Sequence, residues 1–245
     1  MKRVLVLGAT SSIAQAIASE LAGQGARLFL AARDASRLPR LAADLRIRHQ
    51  IPVDWGSVDA LDFGAHPAFI RKSIERLGGI DGAVFAVGSL GDQPGESHDP
   101  QAARRLVDVN LTSSVSLLAP IADLLERQGS GFILGLSSVA GDRGRQSNYV
   151  YGAAKGGFSL YLQGLRNRLD RRGVNVFTLK LGFVDTAMTY GKEGLFLVAS
   201  PRQVGRRARQ ILNRPSGVYY VPSFWRWIML VIRLIPEALF KRLSL

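Results

Sequence analysis

Short apolar runs alternate with segments of helical period along most of this chain. Residues 4–7 (Val-Leu-Val-Leu) form an uninterrupted apolar run, the signature of a strand covered on both faces. Ile13, Ile17 and Leu21 then recur at every fourth position, as one face of a helix does. Further strands are predicted at 28–31, 51–53, 83–87, 132–136 and 174–179. Helices are predicted from 36 to about 48, around Ile70, Ile74 and Leu77, over about 102–127, and around Phe158, Leu162, Leu165 and Leu169. Strict alternation of this kind predicts an α/β fold: a doubly wound parallel sheet of Rossmann type, with helices on both faces, in a single domain. Ligands of such sheets bind at the carboxyl ends of the strands.

Composition narrows the picture. The chain has 245 residues, 47% hydrophobic and 21% charged, a balance that buries a core and excludes a disordered tail. Basic residues exceed acidic ones by 32 − 19 = 13. A surface this basic suits an anionic partner, whether a nucleotide, a nucleic acid or an acidic lipid. Cysteine is absent, which excludes disulfides and thiolate chemistry. His49, His66 and His98 show no metal-ligand spacing, so no metal site is expected. Met1-Lys2-Arg3 ahead of an apolar run imitates the start of a signal peptide. The polar Thr10-Ser11-Ser12 ends that run too early, and a first strand is expected instead.

Four motifs carry candidate chemistry. The first turn, Gly8-Ala9-Thr10-Ser11-Ser12-Ile13-Ala14, joins the first strand to the first helix. Small residues at a helix N-terminus let backbone N–H groups approach a pyrophosphate, which the helix dipole also favours. Only the first glycine of a Gly-rich fingerprint is present, and an ordinary capped turn is the alternative. Ala32-Arg33 ends the second strand. Arginine there suits a 2′-phosphate, whereas an acid would grip a ribose 2′-hydroxyl, so NADPH is expected, with NADH through Asp34 as the alternative. Asp54 and Trp55 follow the third predicted strand, where they would contact an adenine edge or merely form a turn. The strongest signal is Tyr151-Gly-Ala-Ala-Lys155, with Ser138 thirteen residues upstream and Asn110 further back. Tyr and Lys four apart share a helix face, and a neighbouring ammonium is expected to lower the tyrosine pKa and make it a proton donor near neutral pH. Ser138 would hold a carbonyl oxygen, and Asn110 would complete a proton relay.

On these motifs residues 1 to about 215 resemble the short-chain dehydrogenase/reductase family. The resemblance implies catalysis by Ser138, Tyr151 and Lys155 with Asn110, Lys155 also holding the nicotinamide ribose. The loop Leu181-Gly182-Phe183-Val184-Asp185-Thr186 is similar to the family segment that cradles nicotinamide, which assigns Gly182, Val184 and Thr186 to the cofactor. Leu181 stands where proline is usual, a change expected to loosen the loop. Phe85-Ala86-Val87-Gly88 replaces the family's Asn-Asn-Ala-Gly, so Ala86, Val87 and Gly88 are expected beside the cofactor. With the first-turn variant and the C-terminal segment, this resembles bacterial decaprenylphosphoryl-2-keto-pentose reductases, which reduce the 2-keto group of a polyprenyl-phosphate-linked pentose.

The expected layout is an NAD(P)-binding catalytic domain over 1–216 and a hydrophobic, basic segment over 217–245. Residues 224–235 are almost wholly apolar, interrupted by Arg226 and Arg233. About a dozen such residues fall short of the roughly 20 that a spanning helix needs. Tryptophans at one end, cations around it, and Arg202, Arg206, Arg207, Arg209 and Arg214 upstream suit an amphipathic helix lying on an anionic membrane face. Packing against another subunit is the alternative. The sequence thus predicts an NADPH-dependent reductase of a small-molecule or lipid-linked ketone. It is expected to be a homo-oligomer (dimer or tetramer), cytoplasmic or peripheral at the inner face of the plasma membrane through 223–245, with no nucleic-acid partner. A reductase of a free lipid, steroid or 3-ketoacyl substrate is the enzymatic alternative, and a non-catalytic nucleotide-sensing or RNA-binding protein the non-enzymatic one.

Overall fold

The computed structural model describes residues 2–92, 95, 98–191 and 197–243. Seven strands form one sheet: β1 (Arg3–Leu7), β2 (Arg27–Ala32), β3 (Val53–Ser57), β4 (Gly82–Phe85), β5 (Gly131–Ser138), β6 (Val174–Leu181) and β7 (Gly217–Val221). Their order is β3-β2-β1-β4-β5-β6-β7, and every pair is parallel. Helices α1 (Ser12–Ala22), α2 (Leu38–His49) and α7 (Pro201–Ile211) cover one face. Helices α3 (His66–Leu77), α5 (Ser113–Gln128) and α6 (Tyr149–Leu169) cover the other. This is the doubly wound α/β fold that the alternation predicts. The chain winds outward from β1 to β3, then crosses back to place β4 on the other side of β1. The crevice outside the ends of β1 and β4 is therefore the switch point where ligands bind in such sheets.

Local sequence explains the main elements. Val4 to Leu7 are fully buried because layers lie on both sides of β1. Ser11 caps α1 by accepting the Ala14 N–H at 3.1 Å. Ser200 and Gln203 form a reciprocal capping box at the start of α7, with Pro201 in its first turn. On the other face Phe158 of α6 is fully buried and meets Phe85 of β4 with ring centroids 5.2 Å apart.

Several elements differ from the sequence expectation. The third strand runs over Val53–Ser57 rather than 51–53, so Asp54 and Trp55 lie inside it. As an edge strand it is only partly covered and tolerates polar residues, which hides it from a search for apolar runs. The fourth strand stops at Phe85, leaving Ala86 and Val87 in the following loop. The long helix expected over 102–127 is two helices, α4 (Pro100–Val107) and α5, joined by a wide π turn at Asp108–Thr112.

The boundary expected at 216 also moves, because 217–221 are β7 and belong to the sheet. The Arg166 guanidinium of α6 ties this strand down, donating to Val176 O (2.8 Å), Thr178 Oγ1 (2.7 Å) and Gly217 O (3.2 Å). Beyond it lie α8 (Trp225–Leu234) and α9 (Glu237–Phe240), separated at Pro236, which cannot continue a helix. Residues 244–245 of the expected C-terminal segment fall outside the described part. Among the described residues no helix is long and apolar enough to cross a membrane.

Phe158→Ala is expected to destabilise the fold by about 3–5 kcal/mol, since it removes a large ring from a fully packed layer. Equilibrium urea unfolding measures this, and a loss under 1 kcal/mol would contradict the packing described.

Candidate active site

The switch-point crevice encloses about 560 Å³. Gly8, Thr10, Ser11, Arg33, Ala86, Val87 and Gly88, all expected beside a cofactor, line it. Gly8 has φ +84°, and a Cβ there would lie 2.7 Å from the Ala86 carbonyl carbon. Only glycine lets β1 turn into α1 while the loop after β4 lies against it. Ser12 and Ile13 are the first residues of α1, and helix geometry gives their N–H groups no intrahelical acceptor. These donors, the helix dipole and the crevice fit a dinucleotide pyrophosphate.

Arg33 is exposed directly after β2, and among the described residues no carboxylate pairs with it. Asp34 is turned away into its own loop: its carboxylate accepts the Ser36 hydroxyl at 2.6 Å and the Ser36 N–H at 3.0 Å, which holds its pKa below the usual value. Asp54 and Trp55 do not reach the crevice. Asp54 pairs with Arg76 at 2.5 Å, and Trp55 packs against the core beside α2. Val58 and Asp59, just past the end of β3, occupy the place expected for them.

The catalytic candidates converge from three elements. Ser138 is the last residue of β5, while Tyr151 and Lys155 sit one turn apart on α6, both buried. The Ser138 hydroxyl accepts the Ala140 N–H at 3.1 Å and lies near enough to the Tyr151 hydroxyl to favour its ionisation. Asn110 lies fully buried in the π turn. Its amide donates to Ser89 O (2.8 Å) and Leu106 O (2.9 Å), and its Oδ1 accepts the Ser89 N–H (3.2 Å). The side chain expected to serve a relay is thus engaged with backbone at both ends, bracing the loop after β4 against the π turn. A Cβ on Gly88 would stand 2.9 Å from Asn110 Oδ1 and 3.0 Å from Lys155 Nζ, so both polar groups lie just behind the crevice wall at Gly88; Asn110, Ser138, Tyr151 and Lys155 do not themselves line the crevice.

Close backbone contact sets this geometry. The 3-10 turn after Ser138 (Val139–Asp142) lies directly on the first turns of α6. A Cβ at Gly141 would be 2.6 Å from the Gly156 nitrogen, and one at Gly152 would be 2.9 Å from Ala140 O. A cluster that sequence spacing could not reveal fixes the far end of the turn. Asp142, almost wholly buried, pairs with Lys180 of β6 and accepts the Tyr220 hydroxyl of β7 at 2.8 Å.

The electrostatics correct one expectation. Burial pushes the Tyr151 pKa up to about 12, outweighing the opposite pull of the nearby Ser138 hydroxyl, and pushes Lys155 down to about 8. The ammonium stands 5.9 Å from the Tyr151 ring centroid and donates to Leu136 O at 3.3 Å. In the polypeptide itself, desolvation therefore decides the tyrosine's ionisation and not the neighbouring charge.

The late loop is firmly held. Leu181 pairs with both Ser138 and Val221 as the last residue of β6, so leucine in place of proline extends the strand instead of loosening the loop. A Cβ at Gly182 would overlap the Trp225 indole of α8. Val184 bridges to Ala199, and the Thr186 N–H donates to Thr189 Oγ1 at 3.1 Å.

Comparison with known proteins agrees with this architecture. The family model described as short chain dehydrogenase matches residues 2–193. An uncharacterized oxidoreductase of Mycobacterium tuberculosis (strain ATCC 25618 / H37Rv) is 35% identical over 240 residues, covering 98% of this chain and 96% of the relative. An uncharacterized oxidoreductase of Streptomyces coelicolor is 34% identical over 244 residues, covering 99% and 96%. Among solved structures, a short-chain dehydrogenase from Sphingobium yanoikuyae in complex with NADPH has a TM-score of 0.82 at 25% identity, covering 97% of this chain and 98% of that one. The chain therefore belongs to the short-chain dehydrogenase family, oxidoreductases that interconvert CH–OH and C=O groups.

Proposed function

We propose that the protein is an NADPH-dependent reductase that converts a ketone to an alcohol. The carrying observation is Tyr151: a phenol close to Ser138 and kept protonated by burial is ready to give a proton, as reduction requires. Alcohol oxidation would need the phenolate, the form that burial disfavours. When bound, the nicotinamide supplies the hydride. Ser138 orients the carbonyl oxygen, Tyr151 delivers its proton there, and Lys155, behind Gly88, offsets the negative charge left on the phenol. Arg33, which no carboxylate among the described residues pairs with, is the residue for a 2′-phosphate, while Asp34 is committed to Ser36. The NADPH held by the Sphingobium relative supports the same cofactor.

For the substrate we propose a polyprenyl-phosphate-linked 2-keto-pentose. Its support is the pair of variant loops, Gly8-Ala9-Thr10-Ser11-Ser12 and Phe85-Ala86-Val87-Gly88, together with the basic charge and the apolar C-terminal segment. In liposomes holding that substrate, the protein should oxidise NADPH, and Tyr151→Phe should lose about 10²–10⁴-fold of the rate while still binding NADPH. Turnover of simple ketones or ketoacyl thioesters alone would keep the reductase and replace the sugar. Silence on every ketone would favour the non-catalytic reading.

Arg33→Ala should weaken NADPH binding by about 10–100-fold, the usual worth of a hydrogen-bonded charge pair, and leave NADH binding unchanged. Equal losses for both cofactors in a fluorescence titration would remove Arg33 from the 2′-phosphate.

Lys155 gives a pH test of the buried charge. Below about pH 8 both folded and unfolded chains hold its proton, and the folded state bears the full cost of burying the ammonium. Between about 8 and 10.5 the folded chain has released the proton while the unfolded chain keeps it, so stability rises with pH. Relative to Lys155→Met, the wild type should therefore gain about 3 kcal/mol across that interval. A difference between the two that does not change with pH would contradict this charge state.

A further inference from the structure

The two short C-terminal helices divide their side chains sharply. Trp225 and Met229 of α8 are buried, and with Phe183, Tyr220 and Val139 they form a small core of their own. That packing fixes α8 to the reactive end of the molecule, since Val139 follows Ser138 and the Trp225 indole lies across Gly182. Arg143, from the turn after Ser138, completes the attachment. Its guanidinium donates to Ile232 O (2.7 Å) and Ile235 O (2.6 Å) at the end of α8, pairs with Glu237 at 2.9 Å, and stacks 3.8 Å from the Phe240 ring centroid.

The opposite side of α8 is apolar and uncovered. Trp227, Leu230, Val231 and Leu234 are 64%, 44%, 64% and 72% exposed. At about 100° per residue they occupy one arc of roughly 100°, with Arg226 and Arg233 side by side along its edge. Lys241 and Arg242 follow α9. The sole acid of residues 223–245, Glu237, is already paired with Arg143. Leu197 and Val198, also exposed, adjoin this end through the Ala199 N–H, which donates to Phe183 O at 2.9 Å. The arginines of α7 do not belong to this surface: that helix packs on α1, where Arg209 pairs with Glu20.

We infer that the outer face of α8, with the cations flanking it, is a docking surface for an anionic lipid bilayer that sets the mouth of the active-site crevice against the membrane. Apolar side chains including an exposed tryptophan, edged by cations, match the boundary between acyl chains and negatively charged headgroups. Charge selects this occupant over a second copy of the chain: a two-fold contact would bring Arg226 and Arg233 against their own counterparts with no unpaired acid in the segment to offset them. The surface stands independently of the proposed reaction. Its use, presenting a carbonyl carried on a membrane-embedded chain, rests on that reading.

The test is flotation of the full-length protein with vesicles of phosphatidylcholine and phosphatidylglycerol (3:1) or of phosphatidylcholine alone, each with and without 0.5 M NaCl. Binding to the mixed vesicles is expected, at least 10-fold weaker without phosphatidylglycerol or in high salt. The double substitution Leu230→Ser/Leu234→Ser should abolish it, and Arg226→Gln/Arg233→Gln should remove the preference for anionic lipid. All variants should retain NADPH binding and the reduction of water-soluble ketones, which separates failure of the surface from failure of the proposed reaction. Flotation that ignores both double substitutions would overturn the inference. So would absence of flotation, including the case where sedimentation shows that Leu230→Ser/Leu234→Ser dissociates a dimer, which would assign the face to self-association.

Discussion

The active site depends on the backbone contact between the turn after β5 and the first turns of α6. Gly141 faces Gly156, and Gly152 faces the Ala140 carbonyl, each too closely for a side chain to intervene. This seam brings a strand end and a helix face together, so that Ser138 lies close to the Tyr151 hydroxyl. It also buries Tyr151 and Lys155, and burial sets their protonation. A bulkier seam would push the helix away from the strand, separating the two hydroxyls and admitting water to the lysine. The seam's other edge is held by Asp142 with Lys180 and Tyr220, and its outer surface by Arg143 against α8 and α9. Four roles therefore lie within six residues: the catalytic candidate at 138, core packing at 139, strand attachment at 142 and C-terminal attachment at 143.

Charge is divided around this centre according to solvent access. Behind the wall that Gly88 forms at the inner end of the crevice, desolvation favours neutral forms, giving a protonated phenol and a lysine whose pKa falls toward the working range. At the rim, Arg33 is exposed, and among the described residues no carboxylate pairs with it. The first turn of α1 lies between them with backbone donors and no formal charge. One crevice can thus hold an anionic ligand at its outer end and conduct proton transfer at its inner end. Beyond the rim, the basic charge of the chain is spread over separate surfaces, and the cations of α8 and α9 are distinct from those of α7.

What the sequence made legible follows from how each feature is encoded. β1 is covered on both faces and reads as a pure apolar run, while Tyr151 and Lys155 lie at helical spacing on one element. The first turn is likewise local. β3 and β7 were harder to see because edge strands need not be apolar: Asp54 and Ser57 stand in one, Tyr219 and Tyr220 in the other. The π turn around Asn110 widens a helix without interrupting its hydrophobic face, so no period change announces it. The Asp142–Lys180–Tyr220 cluster joins three parts of the chain and has no local signature. The tyrosine's ionisation is hidden from the sequence for a related reason: spacing reveals the neighbouring lysine, but only the packed structure reveals how thoroughly both are desolvated.

The central claim is that this crevice delivers a hydride and the Tyr151 proton to opposite ends of one carbonyl. Mass spectrometry of the alcohol formed from a ketone with NADPH deuterated at the transferring C4 position tests it most directly. The account predicts one deuterium fixed at the carbinol carbon and a hydroxyl proton exchangeable with water, in a product that Tyr151→Phe does not form at a comparable rate. An alcohol without deuterium, or one formed equally well by Tyr151→Phe, would contradict it.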